Sequence, residues 1–462
     1  MSFKKKILAV AAVGALTVAT AVPAMALENE FHGMYRFKFN MSNAYDASSG
    51  PFTVKDNPKT KEYLEQRARL MYIAKASDDL RLVTHFELDY SKFGDGSYDI
   101  KRGQGAAIGA DEINLETKDI YLDFNLPTAV PVNFKVGMQP WIDSYGGLVV
   151  NADMAGVLAS AKYAGFSNSL GFFRFDDKGA IAGKNSRDFL ALDTKYSLNK
   201  DVRIGASYYL LNDDLDVATS TLTGKDPARV ANSSIVHMLG LNGQAKVGIA
   251  TIDGGFLYQF GNLEAPVNGH LSAFGGYVGS KVAVGPGTLN VVAAYTTGDS
   301  NPSTGNSNAF QSVGNTNSGS FSENTFYGAN MHLLMRSKYE INSSRNLIYS
   351  SNNNNQGMTV GSLGYDMKFT DKLYGNANVG FGAISKTNST NATADSKYLG
   401  TEINAEVGYK LYDNLNASVY GAYVALGDYF KNVGTTTSST GVAPGKRPND
   451  LFLTTVMLNY VF

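Results

Sequence analysis

The sequence predicts an all-β fold, a transmembrane antiparallel β-barrel of about 18 strands with short periplasmic turns and long external loops. Three observations carry this: the pattern of the last strand, the leader at the other end, and a composition rich in aromatics and glycine without a long apolar run. In the last strand, Phe452, Thr454, Val456, Leu458, Tyr460 and Phe462 share one face at period two. Leu453, Thr455, Met457, Asn459 and Val461 fill the other face. Leu458, Tyr460 and Phe462 read as the assembly signal of a closing barrel strand, its aromatic face toward lipid.

At the start, Lys4, Lys5 and Lys6 precede an apolar run from Ile7 to Val22, and Ala24-Met25-Ala26 supplies a small-x-small cleavage pattern. Residues 1–26 therefore read as a signal peptide and 27–462 as the barrel, exported through the periplasm to a bacterial outer membrane. The leader's run is shorter than the roughly 20 residues of a spanning helix, and no later stretch reaches that length. The 27 tyrosines, 25 phenylalanines and 48 glycines suit aromatic girdles and tight turns. Cysteine is absent, which excludes disulfides, thiolate metal sites and covalent haem attachment to this chain. Without the three leader lysines, 37 basic residues face 41 acidic ones, a balance that gives no reason to expect nucleic acid.

The first strand shows the alternation well. From Glu30 to Met41, Phe31, Gly33, Tyr35, Phe37 and Phe39 face one way, and His32, Met34, Arg36, Lys38 and Asn40 the other. At Tyr398 to Leu411, Leu399, Thr401, Ile403, Ala405, Val407, Tyr409 and Leu411 oppose Glu402, Asn404, Glu406 and Lys410. Turn chemistry marks eight tight hairpins: Ser77 to Asp79, Pro127 to Pro131, Phe166 to Asn168, Asn199-Lys200, Val247 to Ala250, Gly285 to Gly287, Thr370-Asp371 and Asp413-Asn414. Eight such turns, with both termini on one side, give 18 strands; 16 is the alternative, one hairpin fewer. Longer polar connections include Asp213 to Ser233, Gly298 to Thr325, Ser385 to Ser396 and Lys431 to Pro448. Phe326 to Ile341 reads either as a strand or as part of a very long loop that enters the pore.

Four runs carry a family resemblance: Glu65-Gln66-Arg67-Ala68-Arg69-Leu70; Asp78-Asp79-Leu80-Arg81 followed by His85-Phe86-Glu87; Lys118 to Phe124; and Val136-Gly137-Met138-Gln139. The N-terminal third of the chain thereby resembles porin-like outer-membrane channels of metal-reducing delta-proteobacteria. The resemblance implies a water-filled outer-membrane channel and, in some relatives, a structural role in holding cytochromes and other surface proteins in place.

Directing the apolar alternates toward lipid places Arg36, Lys38, Arg67, Arg69, Arg81 and His85 in the lumen on three neighbouring strands. They form either a basic wall or a set of solvated groups paired with Glu65, Glu87 and Asp89; both keep the lumen wet. Asp119, Asp123, Glu402 and Glu406 are further lumen carboxylates. The connection Gln139 to Met154 is too apolar for a solvated loop and reads as a constriction. In that reading Trp141 anchors it beside Tyr145, and Asp143 and Asp153 face the arginines; the alternative makes Trp141 and Tyr145 an interfacial aromatic belt.

Three functions remain on the table. The first is a porin for passive diffusion of small hydrophilic solutes or ions, embedded in outer-membrane lipid and lipopolysaccharide and, by analogy with such barrels, a homotrimer. The second is a barrel scaffold that organises surface or periplasmic cytochromes. The third rests on His270 and Ser272, two apart on one strand face as in outer-membrane phospholipases, though without a convincing asparagine to orient the histidine. The other histidines show no ligand spacing, so neither a metal nor a cofactor is expected. Removing Arg67 and Arg69 together is expected to shift selectivity toward cations, read as a moved reversal potential under a salt gradient; an unmoved potential would take both residues out of the narrow part of the lumen.

Overall fold

The computed structural model describes residues 27–44, 54–94, 115–177, 186–214, 234–263, 269–301, 305–313, 326, 328, 330–339, 346–348, 350–387, 396–431 and 447–462. The side chains of 89–92 are outside that description, as are the leader (1–26) and most of the connections around 215–233, 388–395 and 432–446. Nine strands occupy the first half: β1 (Glu28–Ser42), β2 (Lys61–Ser77), β3 (Leu80–Lys92), β4 (Leu115–Leu126), β5 (Val132–Ile142), β6 (Asn151–Tyr163), β7 (Phe166–Asp177), β8 (Ser186–Ser197) and β9 (Val202–Asp213). Nine follow: β10 (Ser234–Val247), β11 (Ala250–Leu263), β12 (Gly269–Val284), β13 (Gly287–Thr296), β14 (Thr359–Lys368), β15 (Leu373–Ala383), β16 (Tyr398–Tyr412), β17 (Leu415–Leu426) and β18 (Leu451–Val461).

Each strand pairs antiparallel with the next, and β1 also pairs with β18, so the sheet is a closed ring of 18 strands. Closure answers the backbone's requirement, because in hydrocarbon each unpaired N–H or C=O costs several kcal/mol and only a ring has no edge. At the seam Met34 stands opposite Val461 and Ser42 opposite Leu453. Phe462 extends the seam by donating its N–H to the Gly33 carbonyl at 3.0 Å and accepting from the Gly33 N–H at 2.8 Å. Its ring lies so close over Gly33 that a Cβ there would stand 2.4 Å from the ring edge.

Burial is inverted relative to a water-soluble domain. Phe31, Tyr35, Leu82, Ile120, Leu170, Phe172, Val456 and Leu458 are exposed on the outer face, while Lys38, Asn40, Glu65, Glu87, Asp119 and Asp123 on the inner face are buried. This is the side-chain arrangement that lipid demands, since an arginine or lysine at the bilayer midplane costs about 2–4 kcal/mol on the lipid face of a barrel.

Some boundaries differ from the sequence reading. The sixth and seventh strands turn at Ala164-Gly165, with φ of 46° and 85°, and not at Phe166 to Asn168. Alanine is a poor signal for left-handed backbone, which hid the turn. Leu399 is buried instead of facing lipid, because β16 carries a register slip against Gly382 and Ala383 that leaves Leu399 as the extra residue. Phe326 to Ile341 is not a strand. Its described residues belong to the 297–358 connection between β13 and β14, which folds on itself through a Met335–Ile348 bridge; Tyr327, Ala329, Glu340 and Ile341 lie outside the described residues. Gly33→Val is expected to lower the fraction of chain that reaches the heat-modifiable folded band on unboiled gels, as does Phe462→Ala more mildly; full folding of Gly33→Val would refute the tight seam.

Candidate channel lumen

The inner wall of β1 to β4 is built from ion pairs that cross neighbouring strands. Lys38 reaches Glu65 at 3.1 Å, and Asn40 donates to the same carboxylate at 2.9 Å. Glu87 takes both Arg67, at 3.4 Å, and the Arg69 Nε. Arg81 meets Asp123 at 2.7 Å, and His85 meets Asp119 at 2.9 Å. Arg36, opposite Arg67, donates to the Asn459 Oδ1 at 2.9 Å and lies 5.5 Å from the Tyr339 ring centre. Of the two readings the structure has the paired one at Lys38, Arg67 and Arg69, with Glu65 and Glu87 as partners, because charges held on a low-dielectric wall need partners beside them. Asp89 sits in β3, with its side chain outside the described residues.

The connection between β5 and β6, residues 143–150, is buried. Asp143 organises it: one carboxylate oxygen accepts the N–H groups of Tyr145 (2.7 Å) and Gly147 (3.0 Å), the other those of Val149 (2.6 Å) and Val150 (2.8 Å). Burial pushes this carboxyl up to about 6, and the N–H groups of Val150, Gly147, Tyr145 and Val149 pull against that shift. Asp143 thus faces its own loop and not the arginines. Asp153 likewise belongs to β6 and pairs with Lys118 of β4.

Trp141 is the penultimate residue of β5, and its ring centre lies 5.8 Å from those of Phe173 and Phe189 and 5.7 Å from that of Tyr209. These partners are fully buried on β7, β8 and β9, so Trp141 and Tyr145 are not an interfacial belt. Tyr145 continues the cluster, 6.0 Å from Tyr209, and lies across Gly240 of β10 and Gly255 of β11. A Cβ at Gly240 would stand 2.1 Å from the Tyr145 hydroxyl, so only glycine leaves room for the ring. Ser144 donates to Asp193 of β8 at 2.9 Å.

The β13–β14 connection packs beside it. Ser351 donates to the Leu148 carbonyl at 2.6 Å, and the Val313 N–H to that of Val149 at 2.9 Å. Gln259 of β11 clasps the same connection, exchanging hydrogen bonds of 2.7 and 2.6 Å with the Gln311 backbone. Glu402 of β16 accepts three consecutive N–H groups, from His332 (2.7 Å), Leu333 (2.9 Å) and Leu334 (2.7 Å). The His332 ring stacks on Tyr420 of β17 at 4.7 Å, and burial, then Lys38 and Lys338, push its pKa down to about 3, so it is neutral at physiological pH. Tyr339 donates to Glu406 at 3.1 Å. The sequence reading found the lumen carboxylates Glu402 and Glu406 but not their loop partners; the signal that could have found them was the apolar stretch Met331, Leu333, Leu334 and Met335 amid polar residues, all four buried.

On the outer face of β12, His270 does have an asparagine partner, Asn262 of β11, at 2.9 Å. Ser272, however, is bonded to the Tyr258 hydroxyl at 3.0 Å, and no His270–Ser272 bond occurs, so the step that activates a serine nucleophile is not assembled. No group of metal-ligating side chains forms among the described residues.

No protein-family model and no curated protein matches this chain. Solved structures do. The outer-membrane protein OpdK of Pseudomonas aeruginosa is 13% identical with a TM-score of 0.52, the match covering 94% of this chain and 99% of that one; it has also been solved with vanillate. OccAB4 of Acinetobacter baumannii is 12% identical with a TM-score of 0.52, over 96% of this chain and 100% of that one. A BenF-like porin from Pseudomonas fluorescens Pf-5 is 13% identical with a TM-score of 0.51, over 94% and 98%. At such identities the similarity is one of fold: the chain has the closed 18-stranded architecture of outer-membrane porins.

Asp143→Ala leaves four buried N–H groups without their acceptor, each costing about 1–3 kcal/mol, and is expected to release residues 143–150. Trp141 is the only tryptophan, so its emission should shift to the red while the barrel stays heat-modifiable; an unshifted spectrum would show that the loop does not depend on Asp143.

Proposed function

We propose that this chain is an outer-membrane diffusion porin, passing small hydrophilic solutes or ions down their gradients through a wet lumen. The observation that carries the reading is the inverted wall: a largely apolar exterior around an interior lined with paired charges, in a ring of porin architecture. Such an interior is tolerable only with water beside it. Paired charges along a wet wall favour solutes that keep polar contacts and disfavour apolar ones.

In this reading residues 143–150 and the 297–358 connection narrow the channel together. Their contacts lie on β8 to β17 and reach β1 at Arg36, so the path runs along the remaining arc, where the Arg81 side chain is 49% exposed. Vanillate in the similar OpdK barrel supports solutes of small organic size. The porin is exported to the outer membrane, surrounded by lipid and lipopolysaccharide, and assembles as a homotrimer.

A second reading, a barrel scaffold for surface or periplasmic cytochromes, is favoured by the amount of apolar packing inside the ring, where Leu148, Val149, Phe310, Leu334 and Ile348 are almost wholly buried. Single-channel recording of the purified mature protein in a planar bilayer separates the two. The porin reading expects stable steps, in multiples of three for a trimer. A folded barrel that never conducts would overturn it in favour of the scaffold.

A further inference from the structure

At the short-turn end of the lumen, the inner faces of β6 to β12 carry cations placed differently from those on β1 to β4. Lys162 (β6), Lys195 (β8), Arg203 (β9), Lys246 (β10) and Lys281 (β12) all stand within four residues of a short connection. Each shares a strand face with a residue buried inside the ring: Lys162 with Met154, Lys195 with Phe189, Arg203 with Tyr209, Lys246 with Met238 and Lys281 with Ala273. All but the half-buried Lys195 are exposed, and none of the five forms an ion pair among the described residues. Arg203 donates to the neutral Gln244 at 3.0 Å. The described carboxylates on this part of the wall are Asp193 and Asp253, and Asp193 is already taken by the hydroxyls of Ser144, Ser207 and Tyr209. Lys200 and Asp201 of the β8–β9 turn lie 4.0 Å apart and offset each other, as do Asp366 and Lys368 of β14 in charge, while Lys135 of β5 adds a further cation beside Tyr121. Five cations thus face one uncommitted carboxylate, whereas Arg67, Arg69 and Arg81 have Glu87 and Asp123 beside them.

Strand register arranges these cations in a pattern. Lys162 stands opposite Ser167 of β7, which stands opposite Lys195. Lys246 stands opposite Thr251 of β11, which stands opposite Lys281. Each set puts a hydroxyl between two lysines about 10 Å apart, at ~4.8 Å per strand. The long, rotatable lysine stems let both ammonium groups meet an oxyanion seated over the hydroxyl. Arg203 lies between the two sets, one strand from Lys195 and one from Lys246. A phosphate group offers three acceptor oxygens to such a three-donor cradle, where a planar carboxylate offers two. A singly charged ion neutralises one cation and leaves the others repelling each other, whereas linked phosphates neutralise several at once.

We infer that this arc of the lumen is a binding surface for small polyanions built of phosphate groups, with Lys162, Ser167 and Lys195 as one cradle and Lys246, Thr251 and Lys281 as the other. The inference rests on the porin reading for access to the lumen, but the binding itself is tested apart from conduction. Phosphorus NMR of pyrophosphate against the detergent-solubilised full-length barrel reads binding directly, with acetate as the competing carboxylate. Saturable binding that excess acetate fails to displace, weakened about tenfold when Lys162→Gln is combined with Lys195→Gln and likewise for Lys246→Gln with Lys281→Gln, supports the arc. Arginine in place of lysine at each pair keeps the charge and is expected to keep the binding. The two pairs sit on different strands, so a variant that misfolds leaves the other to decide. Binding that is linear in concentration, unchanged in both glutamine pairs, or displaced by acetate as readily as by phosphate overturns the inference. A barrel that conducts yet fails this test keeps the porin reading, and one that binds pyrophosphate yet never conducts keeps the binding surface alone.

Discussion

The pairing of every strand with two neighbours is the constraint on which the rest depends. Lipid offers no hydrogen bonds, so a sheet that crosses it must close, and closure sorts side chains into an outer apolar set and an inner polar one. The seam between β1 and β18 completes the ring, and the Gly33–Phe462 exchange carries it to the last residue. Everything inside follows from the ring's size. Eighteen strands enclose more volume than their own inward side chains fill, and the chain occupies part of it with its own connections.

The two connections inside the ring are held by one device used twice. Asp143 gathers four N–H groups of its own loop, and Glu402 gathers three from the distant 332–334 segment. In each case a buried carboxylate answers backbone donors that irregular chain cannot pair within itself. The first is local in sequence and shapes a loop, while the second is long-range and fastens a loop to the wall.

The barrel was legible because period-two alternation survives in nearly every strand, from Phe31, Tyr35 and Phe37 at one end to Val456, Leu458 and Tyr460 at the other. The short turns emerged from Asx, glycine and proline chemistry, except that the one at Ala164-Gly165 was placed two residues late because its first position is an alanine in left-handed backbone. Alternation gives which strand residues share the inner face but not which of them become partners. Glu87 serving two arginines, and Asp143 turning back on its own loop, depend on register and loop path, which alternation does not encode. The 297–358 connection was the hardest part: its overall composition is polar, and apolar residues such as Phe310, Met331 to Met335 and Ile348 are scattered through it without a strand's period.

The contacts of Tyr339 join the two ends of the chain. Its hydroxyl binds Glu406 near the C-terminal end, while its ring lies over Arg36 from the first strand, and Lys38 lies 6.0 Å from the Tyr420 ring across the same seam. Before β1 meets β18 these partners are apart. The contacts of Tyr339 with Arg36 therefore exist only in the closed ring, so the inner segment ties the two ends of the chain together across the seam.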